Sequence, residues 1–362
     1  MLSMKKVGLI IYNLNIGGAE KLALDYCSIL REEVDIDVLV FRDQGNFSEE
    51  FHRQTNVIAI TKNTLSYALF RFLPLYQKYL INKIVKKYKY DVIVGYMEGR
   101  TSTIASYVKE KVKKISWIHI DTSKYDIGIS KKEAQISYEK MDEIICVSDF
   151  SKNTFLKTFD VNPNKVSVIY NLVDEAVIKE KAELFPVENR VYTFTNVGVM
   201  REQKKQERLV RIAKVLKDEG YNFKIQIVGT ITKYGESVTE LARDLGVLDV
   251  IDFLGFQKNP YPYIKNSDCV VLSSAFEGYP VIIVEALTFQ KNIITTEVSG
   301  VVEMLEGGKY GVIVDNDEDA LLDEMRETLK NESHFKEIHE NLQSYESSNL
   351  KIKGELVDLF ER

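Results

Sequence analysis

The sequence predicts an α/β protein made of two Rossmann-like domains, each with a parallel sheet wrapped by helices. Short runs rich in Val and Ile alternate with longer amphipathic stretches along the chain. Strands buried on both faces of a parallel sheet produce such runs, and the crossover helices between them produce the amphipathic stretches. The alternation lapses at a polar link containing Pro, residues 184–190, and then restarts; 362 residues also suit two domains better than one.

Five candidate strands precede this link and five follow it. They are residues 7–12, 35–41, 91–96, 115–120 and 143–147, and then 191–197, 223–228, 250–253, 269–272 and 293–295. We therefore expect an N-terminal domain over 1–185, a C-terminal domain over 186–340, and a polar helical tail over 341–362 that packs back on the N-terminal domain. Open α/β sheets bind ligands at the carboxyl ends of their strands, so the loops that follow strands are the places to search for chemistry.

The composition excludes several classes of protein. A formal net charge of −6 argues against nucleic-acid binding by electrostatics. Three widely spaced cysteines, with no Cys or His cluster at metal-ligand spacing, fit buried free thiols in a reducing cytoplasm. The apolar stretch at 7–12 is too short for the core of a signal peptide, and no run of eighteen apolar residues predicts a spanning helix. We therefore expect a cytoplasmic protein.

The segment after the candidate strand 269–272 reads AFEGYP and then VIIVEALTF. Pro280 suits the first helical position, so residues 277–279 present backbone N–H groups at a helix N-terminus, where a nucleotide diphosphate can bind. Glu285 lies in a helix that is apolar nearly all round, so its carboxylate is buried and needs partners. Helical side chains lean toward the N-terminus, so ribose hydroxyls could occupy its oxygens. The alternative is a structural carboxylate paired with a Lys or Arg.

The stretch FEGYPVIIVEAL resembles the E-x7-E signature of retaining glycosyltransferases of the GT-B fold, in particular glycosyltransferase family 4 of the bacterial surface-polysaccharide type. The resemblance implies that Glu277, with Gly278 and Tyr279, meets the donor sugar and that Glu285 binds the ribose. It also implies two Rossmann-like domains facing each other across a cleft, the acceptor on the N-terminal side and the nucleotide-sugar on the C-terminal side. It covers most of residues 5–320.

A second loop, after the candidate strand 191–197, is rich in basic residues. They are Arg201, Lys204, Lys205 and Arg208. Fixed cations at a strand end would stabilise a nucleotide diphosphate as its charge grows on leaving. The stretch resembles the family's G-R-L-x-x-x-K pattern, which implies that Lys204 binds phosphate, but Val199 stands where an Arg is usual. Either Arg201 replaces that Arg or Lys204 acts largely alone; the alternative is a solvated basic turn.

Strand ends in the N-terminal half carry further candidates. Gly17 and Gly18 would let the backbone approach a ligand at a helix start, and their GGAE segment resembles one that lies over the diphosphate in the family. Their spacing is not G-x-G-x-x-G, so a dinucleotide site is poorly supported. His119, in SWIHID, resembles a family His that touches the donor sugar and is a candidate catalytic residue. Glu98 is a candidate acceptor contact. A tight turn and a structural His are the alternatives.

Softer matches extend the resemblance. VIYN at 168–171 and SGVVEML at 299–305 look like family landmarks, and the second implies that Glu303 lies near the donor. Gly255 and Phe256 resemble the segment that cradles the base.

A metal site is not expected. Metal-dependent transferases of the other main fold use D-x-D, which residues 35–37 and 315–317 match by letters. The first starts a strand, and the second is typical of a turn before a helix N-cap, so both are interpreted as structural. Cations of the protein would then replace a metal, and no cofactor is expected.

Residues 65–90 combine basic residues with large apolar and aromatic side chains; they include Lys78, Lys83, Lys86, Lys87 and Lys89, and Phe70, Phe72, Leu73, Leu75, Tyr76, Tyr79 and Leu80. A basic amphipathic stretch can lie on anionic lipid, and family members that build surface polysaccharides often take lipid-linked acceptors. This predicts peripheral contact with the inner face of a membrane. The alternative is an ordinary helix with a solvated Lys face.

These features together predict a retaining hexosyltransferase. It would move a hexose or N-acetylhexosamine from a nucleotide-sugar, with UDP the expected nucleotide, to a glycan or lipid-linked acceptor in capsule, exopolysaccharide or other surface-glycan synthesis. Two other classes stay open, a nucleotide-sugar 2-epimerase of similar fold and a non-catalytic partner of the same fold. The E-x7-E context disfavours the epimerase. Glu277, Glu285 and Lys204 argue against a chain that has lost its donor site, although Val199 leaves that reading open.

Overall fold

The computed structural model describes residues 4–15, 17–123, 127–331 and 333–361. The chain divides into two compact units. Unit 1 comprises Met1–Val173 with Ser348–Arg362, and unit 2 comprises Asp174–Ser347. Each contains one parallel sheet whose strands are linked by helices, so the predicted α/β class with two Rossmann-like domains is confirmed.

The sheet of unit 1 is parallel throughout its described strands. They are β1 (Lys5–Ile11), β2 (Val34–Val40), β3 (Asn56–Ala59), β4 (Val92–Gly95), β5 (Lys113–Ile118), β6 (Glu143–Cys146) and β7 (Val166–Val168). Their order across the sheet is β3-β2-β1-β4-β5-β6-β7. The chain runs outward from β1 in one direction and from β4 in the other, so a topological switch point lies between these two strands.

Helices cover this sheet, numbered here along the whole chain. They are α1 (Gly18–Ile29), α2 (Ser48–Gln54), α3 (Thr64–Phe72), α4 (Pro74–Tyr88), α5 (Arg100–Ser106), α6 (Lys131–Glu139), α7 (Asp149–Thr158) and α16 (Asn349–Glu361). Ile10 and Ile93 of the sheet pack with Ile81 of α4 and Tyr138 of α6 in one buried cluster. Burial of this apolar face is the main force that closes the unit.

Unit 2 repeats the same plan with a six-stranded sheet. Its strands are β8 (Tyr192–Val197), β9 (Phe223–Val228), β10 (Ile251–Gly255), β11 (Cys269–Leu272), β12 (Asn292–Thr296) and β13 (Val312–Val314). The order is β10-β9-β8-β11-β12-β13, all parallel. The switch point therefore lies between β8 and β11.

The helices of unit 2 complete its core. They are α8 (Glu175–Ala182), α9 (Gln206–Asp218), α10 (Lys233–Asp244), α11 (Tyr261–Asn266), α12 (Val281–Thr288), α13 (Val301–Met304), α14 (Glu318–Lys330) and α15 (Lys336–Gln343). In α9, Leu209, Ile212 and Leu216 recur at helical spacing and are buried. They pack with Phe194 of β8 and Val271 of β11, so the two strands beside the switch point share one core.

The unit boundaries differ from those expected from the sequence. Unit 2 begins at Asp174 instead of residue 186 because α8 packs on α11 and α12, and the Asn259 side chain donates to the Lys181 carbonyl at 2.7 Å. The tail that returns to unit 1 begins at Ser348 instead of residue 341. Its helix α16 contacts β5, where Lys113 Nζ donates to the Leu359 carbonyl at 2.7 Å.

The three cysteines are buried free thiols, as the composition predicts. None of the described helices is long and apolar enough to cross a membrane.

Candidate active site

The strongest cluster of candidate residues lies at the carboxyl edge of the unit 2 sheet. The loop after β8 and the loop after β11 start from neighbouring strands on the two sides of the switch point. Such a position is the usual ligand crevice of an open α/β sheet. The structure therefore brings together two loops that are more than seventy residues apart in the sequence.

Lys204 and Glu277 form an ion pair in this crevice. Lys204 Nζ lies 2.6 Å from Glu277 Oε1, and the exposed fractions of the two side chains are 21% and 9%. Ser274 Oγ also donates to Glu277 Oε1 at 2.6 Å, and Gln203 Nε2 donates to Oε2 at 3.3 Å. The buried carboxylate thus has a cation and two neutral donors, which offset the cost of removing it from water.

The two loops are also tied together through their backbones. Gln203 Nε2 donates to the Phe276 carbonyl at 2.8 Å, and the Ala275 amide donates to the Gln203 carbonyl at 2.8 Å. Ser273 Oγ donates to the Lys204 carbonyl, again at 2.8 Å. These contacts fix the Lys204 backbone relative to the loop that carries Glu277, so the ion pair is preorganised.

A second layer of polar side chains supports the same loop. Asn316 Nδ2 donates to the carbonyls of Ser274 and Ala275 at 3.2 and 3.0 Å. Arg208 donates from Nη1 to the Ser273 carbonyl at 3.2 Å and to Asn316 Oδ1 at 2.8 Å. The Arg208 guanidinium therefore hydrogen-bonds both to the backbone of this loop and to the Asn316 side chain that supports it.

Helix α12 follows this loop and carries Glu285. The helix is buried over Ile282–Leu287, and Glu285 itself is only 5% exposed, as the apolar surroundings in the sequence predict. Pro280 is the residue before the first helical residue, one position earlier than the sequence predicts. Its fixed φ of −69° still directs the chain into the helix. The carboxylate thus lies in the second turn of a helix that starts at the crevice.

Gly278 and Tyr279 pack against the loop that leads to Glu303. Gly300 has φ of +80°, and a Cβ there would lie 3.0 Å from Tyr279 Cδ2 and 3.2 Å from the Gly278 carbonyl oxygen. Only glycine fits this close approach without strain. Gly300 immediately precedes α13, whose first turn contains Glu303.

Two other candidates of unit 2, Arg201 and Phe256, are exposed. Arg201 is exposed and precedes the short 3-10 turn Glu202–Lys204. Phe256 is 41% exposed and follows β10, after Gly255 turns the chain with φ of +65°. Val199 is half-buried and contributes no charge where the resemblance implies an Arg. Lys204 is therefore the cation that the structure places directly in the crevice.

Glu98 and His119 lie together at the carboxyl edge of the unit 1 sheet. They follow β4 and β5, which are neighbours, and the His119 amide donates to Glu98 Oε2 at 3.1 Å. Burial raises the pKa of the Glu98 carboxyl, and the hydrogen bond from His119 acts in the opposite direction. Gly17 and Gly18 lie at the start of α1 after β1, where the space beside Gly18 is open.

His119 is a neutral imidazole at physiological pH. Burial lowers its pKa to about 3, although a hydrogen bond with the Tyr96 backbone acts in the opposite direction. Its ring packs edge-on against the Tyr96 ring at 4.7 Å and parallel to the Trp117 ring at 6.3 Å. Nε2 is buried without a hydrogen-bond partner among the described residues, so this atom remains able to bind a ligand hydroxyl.

Asp37 and Asp317, one residue from each D-x-D match, have structural roles. Asp37 is 2% exposed and accepts hydrogen bonds from Tyr90 Oη at 2.8 Å and Asn56 Nδ2 at 3.2 Å. Asp317 caps α14 by accepting from the Ala320 amide at 2.8 Å. Within the described ranges, no three His, Cys, Asp or Glu side chains lie together in an arrangement that could bind a metal ion.

The sequence does not point to three polar side chains of this site, which are Gln203, Ser274 and Asn316. These side chains contact Glu277 or its loop, yet Ser, Asn and Gln are common polar residues with no distinctive spacing here. Ser274 and Gln203 each lie within three residues of a candidate, and this proximity is the only sequence signal that could have pointed to them.

Comparison with protein families accounts for nearly the whole chain. The model described as Glycosyltransferase Family 4 matches residues 16–177, and the model described as Glycosyl transferases group 1 matches residues 178–345. Two Rossmann-like units with these adjoining matches define a glycosyltransferase of the GT-B fold. More narrowly, the chain belongs to the family 4 type of these enzymes.

Individual relatives and structures agree with this assignment. The N-acetylgalactosamine-N,N'-diacetylbacillosaminyl-diphospho-undecaprenol 4-alpha-N-acetylgalactosaminyltransferase of Campylobacter jejuni is 22% identical over 93% of both chains. The capsular polysaccharide biosynthesis glycosyltransferase CapH of Staphylococcus aureus is 25% identical over 78% of this chain and 79% of its own. The crystal structure of Anabaena Alr3699/HepE with UDP and glucose aligns with a TM-score of 0.81 at 18% identity, covering 99% of this chain and 100% of that one. The last likeness establishes the fold.

Proposed function

We propose that this enzyme transfers a hexose or N-acetylhexosamine from a UDP-sugar, with retention at the anomeric carbon, to a lipid-linked or glycan acceptor in surface-glycan synthesis. The observation that carries the proposal is the Lys204–Glu277 pair at the switch point of unit 2. It places a cation and a carboxylate beside the start of α12, where a diphosphate and its sugar would meet both groups.

Lys204 would stabilise the leaving diphosphate. As the bond between the anomeric carbon and the diphosphate oxygen breaks, negative charge grows on that oxygen, and a nearby ammonium stabilises the transition state more than the ground state. The Lys204 ammonium contacts Glu277 Oε1, so a diphosphate would compete with Glu277 for it. Arg201 is exposed beside the same loop and is assigned a secondary contact.

The donor sugar would contact Glu277, Gly278 and Tyr279, and the ribose would bind Glu285. The acceptor oxygen would bond to the anomeric carbon on the face that the diphosphate leaves, and the acceptor proton would pass to the departing phosphate oxygen. Retention is supported by the E-x7-E resemblance and by the α-linked product in the name of the Campylobacter relative. The fixed cations of the protein would act on the diphosphate without a metal cofactor.

UDP is supported by the solved GT-B structures that contain it, and the exposed Phe256 is assigned to the base by resemblance. Glu303 and Gly17–Gly18 are assigned contacts to the donor on the same grounds of resemblance and position. His119 would contact the donor sugar, and Glu98 would contact the acceptor. Lipid-linked and capsular acceptors are supported by the names of the relatives.

A thermal-shift panel of UDP-, GDP- and ADP-sugars tests the proposal. A ligand at a hundred times its Kd stabilises the folded state by about 2.7 kcal/mol, which corresponds to a rise in Tm of about 5 to 10 °C for a unit of this size. Lys204→Met should remove most of the shift. The matched control Lys214→Met, which removes an exposed Lys paired with Asp218 on α9, should preserve it.

Two outcomes would contradict the proposal. If no nucleotide-sugar shifts Tm, the chain is a binding partner that has lost its donor site. If a UDP-sugar binds but a chiral product analysis after transfer gives the inverted anomer, the retaining assignment is wrong.

We also propose that α3 and α4 contact an anionic membrane surface at the cytoplasmic face. Residues 61–90 contain seven Lys or Arg and no Asp or Glu, in a chain whose net charge is −6. Leu65, Phe72 and Leu75 are 70%, 73% and 80% exposed on these helices, and the exposed Lys86 and Lys87 lie further along α4. Exposed apolar side chains beside unopposed positive charge suit the headgroup region of anionic lipid.

Vesicle flotation tests this contact. The protein should float with vesicles of phosphatidylcholine and phosphatidylglycerol at 7:3, but not with phosphatidylcholine alone, and 0.5 M NaCl should weaken the binding. Leu75→Ser and Lys86→Glu should each reduce it several-fold. Leu350→Ser, at an 86% exposed position on α16, is the matched control and should have no effect. Equal loss in the control would refute a specific surface.

A further inference from the structure

Asp121 is a buried carboxylate that the assignments above leave without a role. It is 1% exposed and lies three residues beyond the end of β5. Its Oδ1 accepts hydrogen bonds from the Ser123 amide at 3.0 Å and from Ser123 Oγ at 2.6 Å. Its Oδ2 is buried and has no hydrogen-bond partner in the part of the chain that the structure describes. The hydrogen bonds to Oδ1 therefore fix the orientation of the carboxylate, and Oδ2 takes no part in them.

The neighbouring side chains share this property. His119 Nε2 and Thr122 Oγ1 are also buried without a partner among the described residues, and Thr122 is only 7% exposed. A buried polar atom without a hydrogen bond costs stability, so native proteins have few of them. Three such atoms within four consecutive residues indicate a site that is shaped for a polar ligand, because unsatisfied groups at functional sites are retained for binding.

The position of this segment in unit 1 supports the same conclusion. Strand β5 pairs with β4, one of the two strands beside the switch point, and both end at the carboxyl edge where open α/β sheets bind ligands. The His119 amide is bonded to Glu98 Oε2 of the loop after β4. The segment 119–122 thus lies on the ligand-binding edge of unit 1, together with the proposed acceptor contact.

We propose that Asp121 Oδ2 accepts a hydrogen bond from a hydroxyl of the sugar that the enzyme positions for transfer, with Thr122 Oγ1 and His119 Nε2 as adjacent polar contacts. This inference rests on the proposed transferase function and adds a binding residue to it. A carboxylate forms short, charge-assisted bonds to hydroxyls, and its second oxygen needs no further protein partner once a sugar is bound. The hydroxyl belongs to the donor sugar or to the acceptor sugar, and kinetics separate the two.

A ligand-binding role and a structural role predict opposite effects on stability. In Asp121→Asn the amide oxygen can still accept both bonds from Ser123, and a buried unpaired charge is removed. The variant should therefore melt at the same temperature as the wild type or higher. If a protein group donated a hydrogen bond to Oδ2, the same change would lower Tm, because that donor would lose its acceptor.

The experiment compares Asp121→Asn and Asp121→Ala with the wild type in transfer from UDP-glucose, UDP-galactose and their N-acetyl forms to a short-chain polyprenyl diphosphate-linked N-acetylglucosamine. We expect kcat/KM to fall about 10-fold for Asn and about 100-fold for Ala, as for lost hydrogen bonds to a charged group, with unchanged or raised Tm. A rise in KM for the donor alone assigns the hydroxyl to the donor sugar, and a rise for the acceptor alone assigns it to the acceptor.

Asp142→Asn is the matched control. Asp142 is an exposed residue before β6, at the opposite edge of the same sheet, and its Oδ2 accepts from the Lys114 amide at 2.8 Å. It should leave kcat/KM unchanged. Wild-type kcat/KM in Asp121→Asn, as expected if Oδ2 is satisfied by a buried water, overturns this inference alone, and so does a fall in Tm of several degrees. Absence of transfer by the wild type overturns the proposed function, and this inference falls with it.

Discussion

Replacing Glu277 by Gln is expected to separate nucleotide binding from sugar transfer. Gln has the same shape as Glu, and its carbonyl oxygen can keep the bonds from Ser274 Oγ and Lys204 Nζ that Glu277 Oε1 accepts at 2.6 Å. The substitution therefore removes the charge of the carboxylate while preserving most of the hydrogen bonds around it.

The geometry sets the size of the effect on stability. Glu277 is 9% and Lys204 21% exposed at the side chain, so the pair lies between an exposed ion pair, worth about 0 to 1 kcal/mol, and a fully buried one, whose disruption costs about 3 to 5 kcal/mol. We expect a loss of about 1 to 3 kcal/mol in the free energy of unfolding. In the same variant Lys204 has lost its anionic partner, so UDP should bind at least as tightly as in the wild type.

Sugar transfer should be lost in this variant, although UDP binding is retained. A missing electrostatic contact in the transition state typically lowers kcat by about 100-fold or more, so turnover should collapse while UDP affinity persists. Urea unfolding should be followed by circular dichroism, because the single tryptophan, Trp117, lies in β5 of unit 1 and reports on the other unit. UDP affinity is measured by calorimetry and transfer by product formation.

A matched control removes a charge elsewhere in unit 2. Glu318 pairs with Arg211 at 2.7 Å, and both side chains are 31% or more exposed. Glu318→Gln should cost less than about 1 kcal/mol and leave transfer unchanged. Full transfer by Glu277→Gln, or UDP binding much weaker than in the wild type, would refute the assigned roles of the pair.

Three further predictions concern single positions. Glu285→Gln should weaken UDP binding about 10-fold or more in calorimetry, since a carboxylate bound to ribose hydroxyls loses its charge; an unchanged Kd would remove Glu285 from the nucleotide site. Lys205 has φ of +52° and ψ of +37°, so Lys205→Gly should raise the free energy of unfolding in urea titrations by up to about 1 kcal/mol, because relief of the backbone strain outweighs the 3.6 Å pair with Glu207; a lowered value would contradict this. The pKa of His119 falls from 6.5 in the unfolded chain to about 3 in the fold, so its stabilising contribution is complete above pH 6.5 and is lost as pH falls. Between pH 8 and 5 the wild type should therefore lose about 2 kcal/mol more than His119→Asn in urea titrations, and superimposed pH profiles would contradict the burial of the ring.

The sequence predicts the central strands of both sheets well and the edge strands poorly. Strands such as β1 and β11 lie between two neighbours and are buried on both faces, so they appear as continuous apolar runs. The missed strands β3, β7 and β13 all lie at sheet edges, have three or four residues and are partly exposed. An apolar run is the signal for a strand, and these three short edge strands do not produce one, whereas the longer edge strand β10 does.

The unit boundary depends on information that a local pattern lacks. Helix α8 follows the last strand of unit 1, and its amphipathic pattern fits either unit equally well. Its contacts with α11 and α12 assign it to unit 2, and those helices lie about eighty to one hundred residues further along the chain. Only tertiary packing decides such a boundary.

Some residues of the candidate site can likewise be predicted from a local pattern, and others depend on the tertiary structure. A carboxylate in an apolar helix near an anion-binding turn identifies Glu285 from local physics alone. The contact between Lys204 and Glu277 depends on β8 and β11 being neighbours in the sheet, and their separation in the sequence hides it. Asp121 was not singled out because a lone Asp after a strand has no distinctive pattern until its burial is known.

The two carboxyl edges differ in charge in a way that matches a division of chemical roles. At the edge of unit 2, Lys204 and Glu277 form an ion pair, and a cation at this position suits a diphosphate whose charge grows as it leaves. At the edge of unit 1, burial keeps His119 neutral and raises the pKa of Glu98, which suits hydrogen bonding to uncharged hydroxyls. A cation among the groups of unit 1 would be disfavoured by the same burial that lowers the pKa of His119. Sugar hydroxyls are therefore better ligands than phosphate for the residues from His119 to Thr122, and the carboxylate of Asp121 strengthens that preference because it repels an anion and accepts a hydroxyl proton.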